Sequence, residues 1–225
     1  MHRTGLYLYS MITAKDASDL RQQKRQQLRR ELLARREWMQ RERPAAQIEI
    51  NEWLGRWLEG QSFLCAGFYR PIRHEPELMP AFAAWQASAV GRQLCVPVVD
   101  DMVRRTMHYG VWNPAAVRVG AYGIEVPAQD DPAEPDVIVA PCIGVTQDGF
   151  RLGNGGGYFD RWLAHRASAG KCPVTVAVAF ECLVTEAFEP EPFDMPMDWI
   201  LTETGIRRVR TKNGLQPGDC SPRRR

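Results

Sequence analysis

Apolar positions along this chain change their period several times, and each change marks an element. From Ala14 to about Gln40, Leu20, Leu28, Leu32 and Leu33 recur on one stripe among Arg, Lys and Gln, which predicts an amphipathic helix. Pro44 suits a first helical position and opens a second helix through Ile48, Trp53, Leu54 and Trp57 that stops near Gly60. The short run Ser62 to Tyr69, bounded by Gly60 and Pro71, reads as a buried strand. Pro76 and Pro80 introduce a helix through Phe82, Trp85 and Ala89 that Gly91 ends, and Leu94 to Val99 is the next strand. Thr106 to Trp112 alternates as an exposed or edge strand does, and Asp130 to Pro135 is an acidic, Pro-rich loop. Asp136 to Ala140 and Val174 to Phe180 are continuous apolar runs, hence strands buried on both faces, and Trp199 to Thr202 is a last short strand. Helices alternating with such runs predict a three-layer α/β sandwich, a largely parallel central sheet flanked by helices, over residues 15–204. Residues 1–14 are expected to be an N-terminal extension, with Met11 an alternative start, and residues 205–225 a basic, disordered tail.

Composition narrows the class of protein. The 225 residues can bury one large core, and the net charge is only +2. Basic residues cluster between Arg21 and Arg43 and again between Arg207 and Arg225. The first cluster alternates with Leu at helical spacing, so it reads as a solvated helix face rather than a nucleic-acid surface; neither cluster carries interleaved aromatics or zinc-finger spacing. The six cysteines include no C-x-x-C pair and sit mostly in apolar segments, so buried, reduced thiols are expected. No run is long enough to span a bilayer, and the stretch Gly5 to Thr13 is too short and polar for a secretory core, so a cytoplasmic protein is expected.

The chemistry concentrates after the Asp136–Ala140 strand, at the end of a strand where ligands bind in α/β folds. There Arg151-Leu152-Gly153-Asn154-Gly155-Gly156-Gly157 runs into a helical stretch from Tyr158 to Ala167. So many glycines let the backbone turn sharply and present N–H groups to anionic oxygens, and the helix N-terminus that follows favours phosphate. The segment is neither a Walker loop, for no Lys follows the glycines, nor a dinucleotide fingerprint, which fails at Tyr158. Each residue also has a plain role: the glycines as a tight turn, Asp160 as an acidic first-turn residue, Arg151 as a surface cation. Together, a cation, a glycine cradle, the aromatic pair Tyr158 and Phe159 and the carboxylate of Asp160 are the parts that phosphoryl transfer requires.

The string R-L-G-N-G-G-G-Y-F-D-R closely resembles the signature of the 5-formyltetrahydrofolate cyclo-ligase family, roughly R-L-G-x-G-x-G-Y/F-Y-D-R, and the resemblance extends from about Arg21 to Thr202. Lys24, Arg25, Leu28, Arg29 and Arg35 look like the family's opening basic helix, whose cations reach ATP phosphates. Arg73-His74-Glu75-Pro76-Glu77 resembles the segment whose acidic residue binds the folate, with Glu75 at the matching position. Tyr122 to Pro127 resembles the family's G-I-x-E-P loop, and Phe193 to Asp198 its late D-x-x-x-D segment, with Asp194 the second magnesium-associated carboxylate. Where the family commonly has Ala-Phe-Asp before the signature, this chain has Gly144-Val145-Thr146.

The resemblance implies an ATP- and Mg²⁺-dependent enzyme that closes 5-formyltetrahydrofolate to 5,10-methenyltetrahydrofolate, releasing ADP and phosphate. It implies ATP contacts at Lys24, Arg25, Arg29, Arg151, Gly153, Asn154, Gly155, Gly156, Gly157 and Tyr158, and folate contacts at Glu75, Tyr158 and Phe159. Arg151 is the implied transition-state cation, and Asp160 with Asp194 the implied Mg²⁺ ligands. A reduced folate is the implied partner, with no nucleic acid or membrane, and the protein is expected to be a monomer or weak homodimer. The altered Gly144-Val145-Thr146 segment keeps an alternative open, a related enzyme that phosphorylates a different formamide-type substrate.

Overall fold

The computed structural model describes the backbone of residues 3–209 and side chains from residue 19 onward. Helix α1 (Arg3–Glu42) is followed by α2 (Pro44–Glu59), the strand β1 (Cys65–Gly67), α3 (Met79–Ala87), and the strands β2 (Gln93–Asp101) and β3 (Thr106–Val111). A small ribbon, β4 (Val117–Val119) and β5 (Glu125–Pro127), precedes β6 (Pro132–Ala133) and β7 (Val137–Pro141). A second ribbon, β8 (Gly144–Val145) and β9 (Arg151–Leu152), leads to α4 (Tyr158–Ser168), then β10 (Val174–Val178), β11 (Trp199–Thr202) and β12 (Gly205–Arg208).

The main sheet has eight strands in the order β12-β11-β10-β7-β1-β2-β3-β6. The strands β11, β10, β7, β1 and β2 pair in parallel, and antiparallel strands flank them on both sides. Side-chain parity shows helices on both faces. A Cβ at Gly67 would lie 2.7 Å from the Tyr109 ring, whose other neighbour is Trp162 of α4, 4.9 Å between ring centroids. Phe68, the next residue, faces the opposite way and meets Phe82 of α3 at 5.4 Å. On that same side Trp57 of α2 packs edge-on against Trp199 of β11. The strand β7 lies under both layers, and Val137, Ile138, Val139 and Ala140 are all fully buried. Cutting Ile138 back to Ala would cost about 2–5 kcal/mol through lost burial and an unfilled cavity.

Several details differ from the sequence reading. Helix α1 takes in most of the 1–14 segment, whose side chains lie outside the described residues. On its apolar stripe Leu32 is buried, whereas Leu20 is 52% exposed. Two residues of the Asp130–Pro135 loop form β6, so β3 is not the edge of the sheet. The tail boundary at Gly205 falls within the sheet: Gly205–Arg208 pair antiparallel with β11, Ile206 packs against the core and Val209 is buried in it. The disorder expected beyond that point lies outside the described residues. Cys65, Cys95, Cys142 and Cys182 are free thiols, but Cys182 is exposed and Cys172 is disulfide-bonded, so the expectation of buried, reduced cysteines fails at both. Among the described residues no helix is long and apolar enough to cross a membrane.

Candidate active site

A cavity of about 610 Å³ opens past the C-terminal ends of β1, β2 and β7, the end at which open α/β sheets bind ligands. Three segments make its polar wall: Arg70, Ile72, Arg73 and Glu75 after β1, Arg151 on β9, and the loop and helix start that include Gly153, Asn154, Gly156, Gly157 and Asp160. Val96, Val99, Met107 and Val126 line the opposite side, and Tyr69, Tyr122, Tyr158 and Phe159 add aromatic rings.

Local backbone geometry explains the glycines. Gly155 has φ 91° and Gly157 has φ 67°, left-handed conformations that a Cβ would strain. Gly157 is the N-cap of α4, and no side chain caps that helix, so its first-turn N–H groups are not taken by a capping residue. Arg29, on α1, donates its Nε–H to the Gly153 carbonyl at 2.9 Å and so clamps the loop from outside. Burial, and then the neighbouring Arg25, lower the Arg29 pKa, against the pull of Glu191 and Asp194.

Arg151 is almost wholly buried, with its side chain 3% exposed, and pairs with Asp160 at 2.9 Å. Its guanidinium carbon lies 5.2 Å from the centroid of the Phe159 ring, and its Nε has no hydrogen-bond partner. A cation on the cavity wall beside an uncapped helix N-terminus is a setting that suits an anionic ligand. Asp160 also accepts the Met195 N–H at 3.2 Å.

Glu75 is 3% exposed and accepts the Ile72 N–H at 3.0 Å. Its carboxylate lies 3.6 Å from the guanidinium of Arg36, which is fully buried. Burial pushes the Glu75 carboxyl up, against the pull of the Ile72 amide, Arg36, Asn154 and Arg73. Asn154 in turn accepts a hydrogen bond from Arg73 at 3.2 Å, so the glycine loop and the segment after β1 are tied together. Across the mouth the Tyr122 and Tyr158 hydroxyls are 2.8 Å apart. Burial first, and then the Tyr122 hydroxyl, raise the Tyr158 pKa.

The structure therefore brings together Glu75, Arg151, Gly153, Asn154, Gly156, Gly157, Tyr158, Phe159 and Asp160 on one cavity. Gly155 and Arg29 stand immediately behind the loop, 3.7 Å separating a Gly155 Cβ from the Arg29 guanidinium. Lys24 is exposed, while Arg25 is directed to Asp194 at 3.3 Å and to the Glu189 carbonyl at 3.0 Å. The expected pairing of Asp160 with Asp194 is not the arrangement found. Asp194 binds Arg25 and the Glu191 N–H, whereas Asp160 binds Arg151, and Asp194 does not line the cavity.

The sequence reading missed Arg70, Arg73 and Tyr122 as cavity residues, and it named exposed Arg35 where the buried cation is Arg36. Only the phase of α1 could have separated those two: Arg25, Arg29, Leu32, Arg36 and Met39 fall three or four residues apart on one face. The unusual Gly144-Val145-Thr146 segment faces elsewhere. A Cβ at Gly144 would touch Leu32 of α1 at 2.8 Å, and the Thr146 hydroxyl accepts the Phe150 N–H within the β8–β9 turn.

The model of the 5-formyltetrahydrofolate cyclo-ligase family matches residues 21–203. The 5-formyltetrahydrofolate cyclo-ligase of Mycolicibacterium smegmatis is 27% identical over 172 residues, which span 71% of this chain and 85% of that protein. The NMR structure of Aquifex aeolicus 5,10-methenyltetrahydrofolate synthetase superposes with a TM-score of 0.70 and 27% identity, covering 85% of this chain and 96% of the other. The 5,10-methenyltetrahydrofolate synthetase from Mycoplasma pneumoniae shares the fold at a TM-score of 0.62 and 19% identity, over 80% of this chain and 98% of that one. With its signature loop folded onto a single cavity, the chain belongs to the 5-formyltetrahydrofolate cyclo-ligase family.

Proposed function

We propose that the protein uses ATP and Mg²⁺ to cyclise 5-formyltetrahydrofolate to 5,10-methenyltetrahydrofolate, releasing ADP and phosphate. The observation that carries this reading is the juxtaposition, on one cavity, of an uncapped glycine-rich helix start beside Arg151 and a buried carboxylate, Glu75. The first suits a triphosphate and the second suits the amino and ring N–H donors of a pterin.

The chemical difficulty is that a formyl amide oxygen is a poor leaving group. Transfer of the γ-phosphoryl group to that oxygen makes it a good one; N10 then attacks the formyl carbon, and loss of phosphate leaves the methenyl bridge. The protein's part is to align the phosphate with the formyl oxygen and to neutralise charge as it moves. Loop amides at Gly153 to Gly157 and the first turn of α4 hold the triphosphate, with Arg29 bracing the loop from behind. Arg151, on the cavity wall, offsets by its positive charge the charge that develops on the transferred group. The aromatic rings of Tyr158 and Phe159 and the apolar wall at Val96 and Met107 enclose the ring system and exclude water.

The donors present fit Mg²⁺, which takes one or two carboxylates with phosphate oxygens and waters rather than a full protein cage. Among the described residues no group of three or more His, Cys, Asp and Glu is placed to hold a metal ion. Asp160, which lines the cavity, would hold it in this reading, whereas Asp194 stands off the cavity, paired with Arg25. When bound, Mg²⁺ supplies neutralisation of the phosphate charge.

The altered Gly144-Val145-Thr146 segment gives no support to a different substrate, because none of the three residues lines the cavity. A cytoplasmic, monomeric or weakly dimeric enzyme without nucleic-acid partners accords with this reading. Purified protein given 5-formyltetrahydrofolate, ATP and Mg²⁺ is expected to accumulate the absorbance of the methenyl product. Absence of that product with all three present, in protein shown to be folded, would overturn the proposal.

A further inference from the structure

Arg36 is an expensive residue to bury. It is fully inaccessible, and its Nε and Nη2 have no hydrogen-bond partner, while Nη1 reaches the Cys142 carbonyl only at 3.4 Å. An apolar side chain of similar volume would serve the core better, since a buried ion pair seldom stabilises a fold beyond its hydrophobic replacement. The guanidinium does not line the cavity; Glu75, 3.6 Å away, does.

We propose that Arg36 is a positioning residue for the pterin end of the substrate, holding Glu75 as an ionised acceptor turned to the cavity. The inference rests on the reading of the cavity as a folate site. An ionised carboxylate only accepts, and its remaining lone pairs can take the 2-amino group and adjacent ring N–H of a reduced pterin; a protonated carboxyl offers a donor where the ligand has one too. Burial favours the protonated form, so something must oppose it.

The groups facing Glu75 identify what does. The Ile72 amide of its own segment opposes burial most; then come Arg36 from α1, the neutral Asn154 from the glycine loop and exposed Arg73. Tyr69 at the end of β1 and Cys142 after β7 stand on the same side, and burial pushes both up, the Cys142 thiol to about 12, so neither carries charge near neutrality. Arg36 is thus the fully buried cation at Glu75; it lies by Oε1, while Oε2 accepts the Ile72 N–H.

The test compares wild type, R36Q and R36K by the KM for 5-formyltetrahydrofolate and for ATP between about pH 6 and pH 8.5. R36Q is expected to raise the folate KM roughly 10- to 100-fold at the acid end. That loss should shrink as pH rises, because the unsupported carboxyl ionises only there, while the ATP KM stays put. R36K keeps a cation beside Glu75 and is expected to retain the weak pH dependence of the wild type. A folate KM in R36Q that is unchanged and flat with pH overturns the proposal, and so does an equal rise in both KM values, which marks general damage. If R36Q cannot be purified folded, a folded R36K with a strongly pH-dependent folate KM overturns it. Wild-type protein that makes no methenyl product counts against the proposed reaction instead. In that case direct binding of 5-formyltetrahydrofolate, followed by quenching of protein fluorescence, carries the same three-way comparison.

Discussion

Arg29 and Gly153 are joined by a 2.9 Å hydrogen bond although 124 residues separate them, so a side chain of the first helix fixes the entry to the glycine loop. The bond uses a charged donor on a backbone acceptor in a half-buried setting. Such bonds contribute more than neutral ones, about 1.5–3 kcal/mol.

Replacing Arg29 with Ala removes both the clamp and a cation near the phosphate loop. The expected result is a KM for ATP raised on the order of 10-fold or more, with the KM for 5-formyltetrahydrofolate little changed. Steady-state kinetics with each substrate varied in turn checks this, and an unaltered ATP KM would separate Arg29 from nucleotide binding.

Gly157→Ala tests the loop geometry itself. The residue has φ 67°, and the added Cβ would come within 2.6 Å of the Arg161 guanidinium. The side chain of Arg161 can swing aside, so the remaining penalty is the left-handed backbone, roughly 1–2 kcal/mol. A modest fall in melting temperature should accompany a much larger fall in ATP-dependent turnover. Full activity at reduced stability would show that the cap conformation is not needed for nucleotide binding.

Asp160→Asn leaves the shape of the first turn of α4 nearly intact but removes the charge opposite Arg151. Turnover is expected to fall by at least about 100-fold, and the residual activity should need more Mg²⁺. Titrating the variant with Mg²⁺ at saturating ATP makes the measurement; an unshifted Mg²⁺ dependence would take the metal away from Asp160.

Much of the fold was legible because the parallel strands are buried on both faces. Val137 to Ala140 form an unbroken apolar run for the same reason that all four are inaccessible. The glycine loop was legible because few sequences place so many flexible residues just before a helix. The ribbons β8–β9 and β4–β5 were not, since strands of two or three residues are too short to show a period. The strand at Gly205–Arg208 was hidden because one apolar residue, Ile206, does the packing among basic neighbours. At the site, the partners of each charge stayed invisible. Nothing in the sequence says that Asp194 would be drawn to Arg25 while Asp160 is drawn to Arg151.

The α1 face that reaches the loop through Arg29 and Glu75 through Arg36 imposes a rule on length as well as on identity. Between the two arginines, Arg30, Glu31, Ala34 and Arg35 are exposed, so their side chains are open to exchange. Their number is not. Deleting or inserting one residue there would swing one arginine about 100° away from the other. This stretch of the helix is a spacer: its exposed positions tolerate exchange, Leu32 is held by the core, and a frame change is not absorbed at all.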